Sequence, residues 1–135
     1  MQINYRKATE MDIPVIHDFI KELARYEKLE HEVIATGEAL AETLFGERPY
    51  AEVVLAEADG KAEGFVLFFH NYSTFLARPG IYVEDLYVKP SFRGKGLGKG
   101  LLRHVASLAL ERGCGRVEWW VLNWNPARKF YDSLG

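Results

Sequence analysis

A glycine-rich stretch, FRGKGLGKG at residues 92–100, is the part of the sequence whose composition points most directly to chemistry. It places four glycines and three cationic side chains between a strand-like run, IYVEDLYVKP, and a helix-like run, LLRHVASLALERG. Glycines let a backbone approach a ligand closely, and the first N–H groups of a helix have no partner inside that helix. Such a turn is suited to binding phosphate oxygens, whereas the alternative is a turn chosen only for tight packing.

The spacing of these glycines excludes two common nucleotide-binding motifs. A Walker A loop requires Ser or Thr after its Gly-Lys pair, but Gly98 and Lys99 are followed by Gly100. A dinucleotide fingerprint, G-x-G-x-x-G, meets Lys99 or Leu101 where its last glycine belongs. Neither motif therefore explains the turn.

Two adjacent acids, Glu84 and Asp85, interrupt the apolar strand that leads into the turn. Successive side chains of a strand point to opposite faces, so we expect only one of the two to face a given cleft. Burial beside an apolar strand raises the pKa of a carboxyl group, which suits it to accept a proton near neutral pH. The alternative for either acid is an ion pair with a Lys or Arg.

The elements that must position these residues follow from periodicity. Ile13, Ile16, Phe19, Ile20 and Leu23 recur at helical spacing, and Thr9 or Asp12 can cap that helix. Before and after this helix we predict a first strand INYRKA and a second helix IATGEALAETLFG, which is closed by Gly46. Three strands follow: AEVVLAEA, EGFVLFFHNY and IYVEDLYV. The rest of the sequence predicts a helix with Leu97, Leu101, Val105 and Leu108 that stops at Gly113, a strand GRVEWWVL, and a last helix PARKFYDSL that begins at Pro126. The order β, α, α, three antiparallel strands, α, β, α predicts a mixed α/β domain around one sheet. Residues 81–121 should form a right-handed crossover between parallel strands.

Composition limits the classes of function. The 135 residues predict a single domain over residues 1–135, and 17 Lys and Arg against 19 Asp and Glu give no electrostatic case for nucleic acid. Cys114 is the only cysteine and is expected to be a small buried hydrophobe, while the four histidines lack metal-ligand spacing, so we expect no metal. No stretch approaches the roughly 20 apolar residues of a membrane span, and MQINYRKATE lacks a signal-peptide core, so we expect a cytoplasmic protein.

The pattern Arg-x-x-Gly-x-Gly at Arg93, Gly96 and Gly98, together with NWNPARKFYDSLG, resembles the acetyl-coenzyme A site of the GNAT superfamily of N-acetyltransferases. The runs KELARYEKLEHEVIATGEALAETLFGERPY and IYVEDLYVKPSFRGKGLG are similar to its diamine and thialysine acetyltransferase branch, which includes the spermidine/spermine enzymes. The resemblance covers the whole chain and implies a GNAT fold, acetyl-coenzyme A as co-substrate and a small-molecule amine as acceptor.

The resemblance also implies the cofactor-binding residues. Leu86, Tyr87 and Val88 would offer strand backbone groups to the pantetheine arm. The pyrophosphate and the rest of the cofactor would contact Arg93, Gly94, Lys95, Gly96, Leu97, Gly98 and Lys99, and then Asn125, Pro126, Ala127 and Arg128.

The reaction roles come from the same resemblance. Glu84 would take the proton of the acceptor amine through water, with its pKa raised by burial beside an apolar strand. Tyr131 would protonate the departing thiolate, with plain core packing as the alternative. Tyr26, Glu27, Glu84 and Asp85 would bind the substrate, with a polar helix end as the alternative for the first two. Two further hypotheses stay open: acetylation of a protein lysine or N-terminus, and a non-catalytic acetyl-coenzyme A sensor.

Two departures from the family pattern change these expectations. Ser73 and Thr74 stand where the polyamine enzyme carries an acid, and Phe75 falls near a Trp position, which favours thialysine-like or other short amines. The family continues past the Y-x-x-L-G signature with two more strands, whereas this sequence ends at Gly135. Either the sequence is truncated or a partner supplies the pairing, so we expect a homodimer.

Overall fold

The computed structural model describes residues 1–119. Its helices and strands are β1 (Ile3–Lys7), α1 (Ile13–Tyr26), α2 (Gly37–Phe45), β2 (Glu52–Ala58), β3 (Lys61–Ser73), β4 (Arg78–Val88), α3 (Leu97–Glu111) and β5 (Val117–Trp119). The strands form one sheet in the order β1-β2-β3-β4-β5, in which the first four are antiparallel and β5 runs parallel to β4. The predicted mixed α/β architecture is confirmed.

Helices cover both faces of this sheet. On one face α3 contributes Leu97, Leu101 and Val105 to a core that also contains Val54, Val66, Phe68, Ile81 and Val83. On the other face α1 contributes Ile16, Phe19 and Leu23, and α2 contributes Leu40 and Leu44, against Leu55, Phe65 and Tyr87. The apolar positions predicted from helical spacing in the first helix and in α3 lie in, or packed against, these two cores.

The helix starts differ slightly from the prediction. A short 3₁₀ turn, Glu10–Asp12, precedes α1, and the Asp12 carboxylate accepts a hydrogen bond from the Thr9 backbone N–H at 2.7 Å. In α2 the Thr36 hydroxyl accepts from the Ala39 backbone N–H at 3.1 Å, so the helix begins at Gly37 and leaves the preceding residues in a loop. Gly46 follows the last helical residue, as predicted.

Parallel pairing of β4 with β5 confirms the predicted strand–helix–strand unit as far as the described residues extend. Ile81, Tyr82 and Val83 lie opposite Val117, Glu118 and Trp119. The remainder of the predicted strand GRVEWWVL and the helix expected from Pro126 lie outside the described residues. Among the helices of residues 1–119, none has both the length and the apolar character needed to cross a membrane.

Candidate active site

The glycine turn joins the end of β4 to the start of α3. Gly94 has φ 78° and Gly96 has φ 87°, in the left-handed region that favours glycine. Apart from the adjoining residues, nothing lies within 4 Å of where a Cβ would sit at either glycine. Gly96 is the residue before α3, whose first N–H groups have no acceptor inside the helix. The turn therefore presents backbone donors and exposed Lys95 and Lys99 to open space, an arrangement that fits a diphosphate.

Arg93, predicted to bind the cofactor with this turn, directs its side chain toward α1. Its Nε donates a hydrogen bond to the carbonyl oxygen of Val88 at 3.0 Å. Its guanidinium carbon lies 4.6 Å from the ring centroid of Tyr26 and 5.6 Å from that of Tyr87. The structure thus places Arg93, a predicted cofactor-binding residue, against Tyr26, a predicted acceptor-binding residue.

A bulge in β4 changes how the two acids are presented. Asp85 lies opposite Leu67 of β3 and Val83 lies opposite Phe68, so Glu84 is the extra residue of the ladder. Val83 and Leu86, three residues apart, both contribute to the core beneath α3. The expectation of strict alternation through this strand is therefore wrong at Glu84, because the bulge shifts the side-chain phase by one residue.

Burial also differs from the sequence expectation. Glu84 is exposed, so the burial beside an apolar strand that we expected for it is absent. Asp85 is only partly exposed and follows the phase of Tyr87, whose ring belongs to the core beneath α1. Burial, reinforced by the negative charges of Glu84 and Glu27, raises the pKa of Asp85 to about 7.

The predicted acceptor residues lie at the end of α1. Tyr26 is the last residue of this helix, and Glu27 follows it with its backbone N–H bonded to the carbonyl oxygen of Leu23 at 2.9 Å. Both side chains are partly buried. Because Glu27 contributes to the pKa of Asp85, the end of α1 and the bulge of β4 form one acidic site.

Past the bulge, β4 has an edge with no partner strand among residues 1–119. Leu86, Tyr87 and Val88 lie opposite Val66, Phe65 and Gly64 on the β3 side, whereas the described pairing with β5 covers Ile81–Val83 only. Within residues 1–119, the backbone groups on that edge have no strand partner, which is the condition for hydrogen bonds to the amides of a ligand. The predicted cofactor strand and the predicted phosphate turn are therefore consecutive parts of one surface.

Residues 16–135 match the model of the acetyltransferase (GNAT) family. The chain belongs to the GNAT family. It is an N-acetyltransferase of that family, whose members use an acyl-coenzyme A as donor. A thialysine N-epsilon-acetyltransferase from Bos taurus is 41% identical, with 96% of this chain and 81% of the bovine protein covered. The L-ornithine N5-acetyltransferase of Arabidopsis thaliana is 36% identical, with 96% of this chain and 77% of the plant protein covered.

Solved structures show the same fold. An integron cassette protein from the mobile metagenome of V. cholerae superimposes with a TM-score of 0.80 at 30% identity, covering 100% of this chain and 85% of that one. A ribosomal-protein-alanine N-acetyltransferase from Brucella melitensis gives a TM-score of 0.82 at 23% identity, covering 100% and 92% of the two chains. The GNAT fold expected from the resemblance is thereby confirmed.

One hydrogen bond at this GNAT site, between Tyr87 and Glu22, was not expected from the sequence. The hydroxyl of buried Tyr87 donates to the Glu22 carboxylate at 2.8 Å, and burial together with this hydrogen bond raises the pKa of Tyr87 to about 12. Glu22 lies four residues before Tyr26 in α1, a spacing that puts the two side chains on one helical face. That spacing is the signal that could have identified Glu22 from the sequence.

Five of the predicted site residues cannot be compared with the structure. Asn125, Pro126, Ala127, Arg128 and Tyr131 lie outside the described residues. Within residues 1–119 no three His, Cys, Asp or Glu side chains group as metal ligands. A cavity of about 550 Å³ lies between the end of α2 and the start of β2, with Lys7, Glu52 and His70 in its wall, and is lined by different residues from those of the acidic site.

Proposed function

We propose that this GNAT enzyme transfers acetyl from acetyl-coenzyme A to a primary amine of a small molecule, of the diamine, polyamine or thialysine-like class. The observation that carries the proposal is the acidic site of Glu27, Glu84 and Asp85 beside a phosphate-suited turn and a strand edge that is unpaired within residues 1–119. Carboxylates attract an alkylammonium and repel anionic acceptors. The names of the bovine and Arabidopsis relatives, which specify thialysine and ornithine, support the same class of acceptor.

The first chemical requirement is removal of a proton from the acceptor. An alkylammonium with a pKa of about 10.4 is neutral in roughly one molecule in 2,500 at pH 7, which costs about 4.6 kcal/mol against nucleophilic attack. Glu84, exposed at the bulge, takes this proton through a water molecule. Asp85 holds the ammonium before transfer, and Glu27 receives a second cationic group of the acceptor.

The transfer itself is direct. The nitrogen lone pair attacks the thioester carbonyl and a C–N bond forms. The nitrogen then gives its second proton to water, and the C–S bond breaks with its electron pair on sulfur. Tyr131 donates its phenolic proton to that thiolate and recovers a proton from water. Backbone groups of Leu86, Tyr87 and Val88 hold the pantetheine arm, and Gly94 to Lys99, with Asn125 to Arg128, hold the remainder of the cofactor. The scheme uses no metal and no covalent enzyme intermediate.

A panel of acceptors tests the proposal. Release of free thiol from acetyl-coenzyme A is measured with diamines, polyamines, thialysine, ornithine, lysine and a lysine-containing peptide at equal concentrations. The proposal expects the highest kcat/KM on a small cationic amine. A preference for the peptide would assign the protein to lysine or N-terminal acetylation. Tight binding of acetyl-coenzyme A with no turnover on any amine would identify a sensor.

The proposal also covers the domain structure, the cellular location and the oligomeric state of the protein. Residues 1–135 act as one GNAT domain, in the cytoplasm and as a homodimer. Light scattering coupled to size-exclusion chromatography measures the mass in solution, and a value of one 15.4 kDa chain at micromolar concentration would contradict the dimer.

A further inference from the structure

Arg93 lies between the two halves of the site. Its guanidinium faces the rings of Tyr26, at 4.6 Å, and Tyr87, at 5.6 Å, while its Nε bonds the Val88 carbonyl at 3.0 Å. Tyr87 in turn donates to Glu22 of α1 at 2.8 Å. The Arg93 clamp, defined as Arg93, Tyr26, Tyr87 and Glu22, thus connects the residue that opens the glycine turn to the last turn of α1.

The Arg93 side chain is exposed, and the charges around it favour its contact with the two rings. The Glu22 carboxylate accepts the hydrogen bond of the Tyr87 hydroxyl, and the electron-rich faces of two tyrosines attract a guanidinium. Lys95 and Lys99 lie exposed in the same turn and at the start of α3, so the turn keeps two cations for a phosphate group without Arg93. Lys95 is held differently, with its Nζ 5.3 Å from the Phe92 ring.

The chain changes direction just after the contact between Arg93 and Tyr26. Beyond Tyr26, Lys28 has φ 62°, which is an uncommon conformation for a residue with a side chain, and the chain leaves the helix there. The following turn is closed by backbone bonds from Lys28 to Arg25 and from Leu29 to Ala24, all within the same segment. The described ring contact of Arg93 joins this segment to the cofactor side of the sheet.

We infer that Arg93 is a positioning residue for the acceptor, holding the end of α1 with Tyr26 and Glu27 against β4, rather than a side-chain ligand of the cofactor phosphates. The inference rests on the proposed function for its kinetic consequence. Loss of the guanidinium lets the end of α1 move away from Asp85, so the acceptor binds less well. The glycine turn keeps its backbone donors and its lysines, so binding of coenzyme A is retained.

The experiment compares Arg93→Ala and Arg93→Lys with the unchanged protein, and uses Lys95→Ala as a matched loss of one cation in the same turn. Three quantities are measured: the KM of the best acceptor in the panel, the Kd of coenzyme A by calorimetry, and hydrogen exchange of the amides in residues 23–29. Arg93→Ala should raise the acceptor KM by roughly three- to thirty-fold, the range expected for a cation–π contact, with faster exchange and an unchanged Kd. Arg93→Lys should restore only part of this loss, because an ammonium lacks the planar face and the Nε donor.

Lys95→Ala should give the opposite pattern, with weaker coenzyme A binding and unchanged exchange at the end of α1. If Arg93→Ala instead weakens coenzyme A binding and leaves the acceptor KM and the exchange unchanged, Arg93 is a phosphate ligand and the inference is wrong. Hydrogen exchange at residues 23–29 distinguishes a failure of this inference from a failure of the proposed function, because it is measured without an acceptor. In a protein that acetylated no amine, unchanged exchange in Arg93→Ala would overturn the clamp, whereas faster exchange would support it.

Discussion

At the bulge of β4, two adjacent carboxyl groups have different surroundings. Glu84 is exposed, while Asp85 is partly buried near Glu84 and Glu27, and its pKa is raised to about 7. A carboxyl group with this pKa is about half ionised at neutral pH, and ionisation is what attracts an ammonium. This difference is why the proposed function assigns proton removal to Glu84, which is exposed to water, and binding of the ammonium to Asp85.

Acceptor binding should depend on pH through Asp85. As pH rises from 6 to 8 the carboxyl group loses its proton, so the acceptor KM should fall by about ten-fold. In Asp85→Asn the KM should be high at both values and show no change centred near pH 7. The measurement is initial-rate kinetics with an acceptor whose amine stays protonated over this range. Asp18→Asn, at an exposed carboxylate of α1, serves as the control, and the same pH dependence in Asp85→Asn would contradict the assignment.

Both acids are recognisable in the sequence, but the difference in their burial is not. The pair is visible as polar residues in an apolar strand, and its identity follows from the family resemblance. The bulge depends on how β3 and β4 pair, with Leu67 opposite Asp85 and Phe68 opposite Val83, and no local pattern specifies that register. The burial expected for Glu84 with its role as base is therefore found at Asp85 instead.

At the scale of elements, β4, the glycine turn and α3 form one continuous unit. The sequence predicted this unit well, because four glycines between an apolar strand and an amphipathic helix leave few other arrangements. The direction of the Arg93 side chain could not be predicted in the same way. It depends on two rings, Tyr26 and Tyr87, that come from distant parts of the chain and meet only in the folded protein.

A glycine substitution tests the role of the turn. Gly96→Ala forces a side chain into a backbone conformation with φ 87°, which costs about 1 kcal/mol and shifts the donors at the start of α3. We expect a weaker affinity for coenzyme A, measured by calorimetry, with a small loss of stability. Gly60→Ala is the matched control, since Gly60 has φ 84° and equally open space but lies in the β2–β3 hairpin. Equal effects of the two changes on the affinity would contradict a binding role for the turn.

The whole molecule is held by two cores on opposite faces of the sheet, which the spacing of apolar residues predicted in outline. An ion pair also joins α3 to the sheet: the Arg112 guanidinium at the end of α3 donates to both carboxylate oxygens of Glu52 in β2, at 2.6 and 2.9 Å. This pair lowers the pKa of Glu52. Its partners are 60 positions apart in the sequence, so no sequence pattern could have predicted it.

Ionisation of Asp85 should lower the free energy of unfolding of the whole protein. Its pKa in the folded protein is about 7, above the value near 3.9 of an unfolded Asp, so the folded state holds the proton more tightly. The free energy of unfolding should therefore fall by on the order of 3 kcal/mol as pH rises from about 4 to 7, and stay low above pH 7. Asp85→Asn should remove this decline and be more stable than the unchanged protein at pH 8, as measured by urea unfolding at pH 5 and 8. An equal decline in both proteins would show that Asp85 is not its source.

The most direct test of the account is the rate of thiol release from acetyl-coenzyme A with a saturating small amine at pH 8, in the unchanged protein and in Glu84→Gln. General-base catalysis contributes about 10²- to 10⁴-fold, so kcat should fall by that factor while the affinity for coenzyme A stays the same. A Glu84→Gln protein that retains the full kcat would contradict the proposed role of the bulge, and an unchanged protein that acetylates no small amine would contradict the proposed function itself.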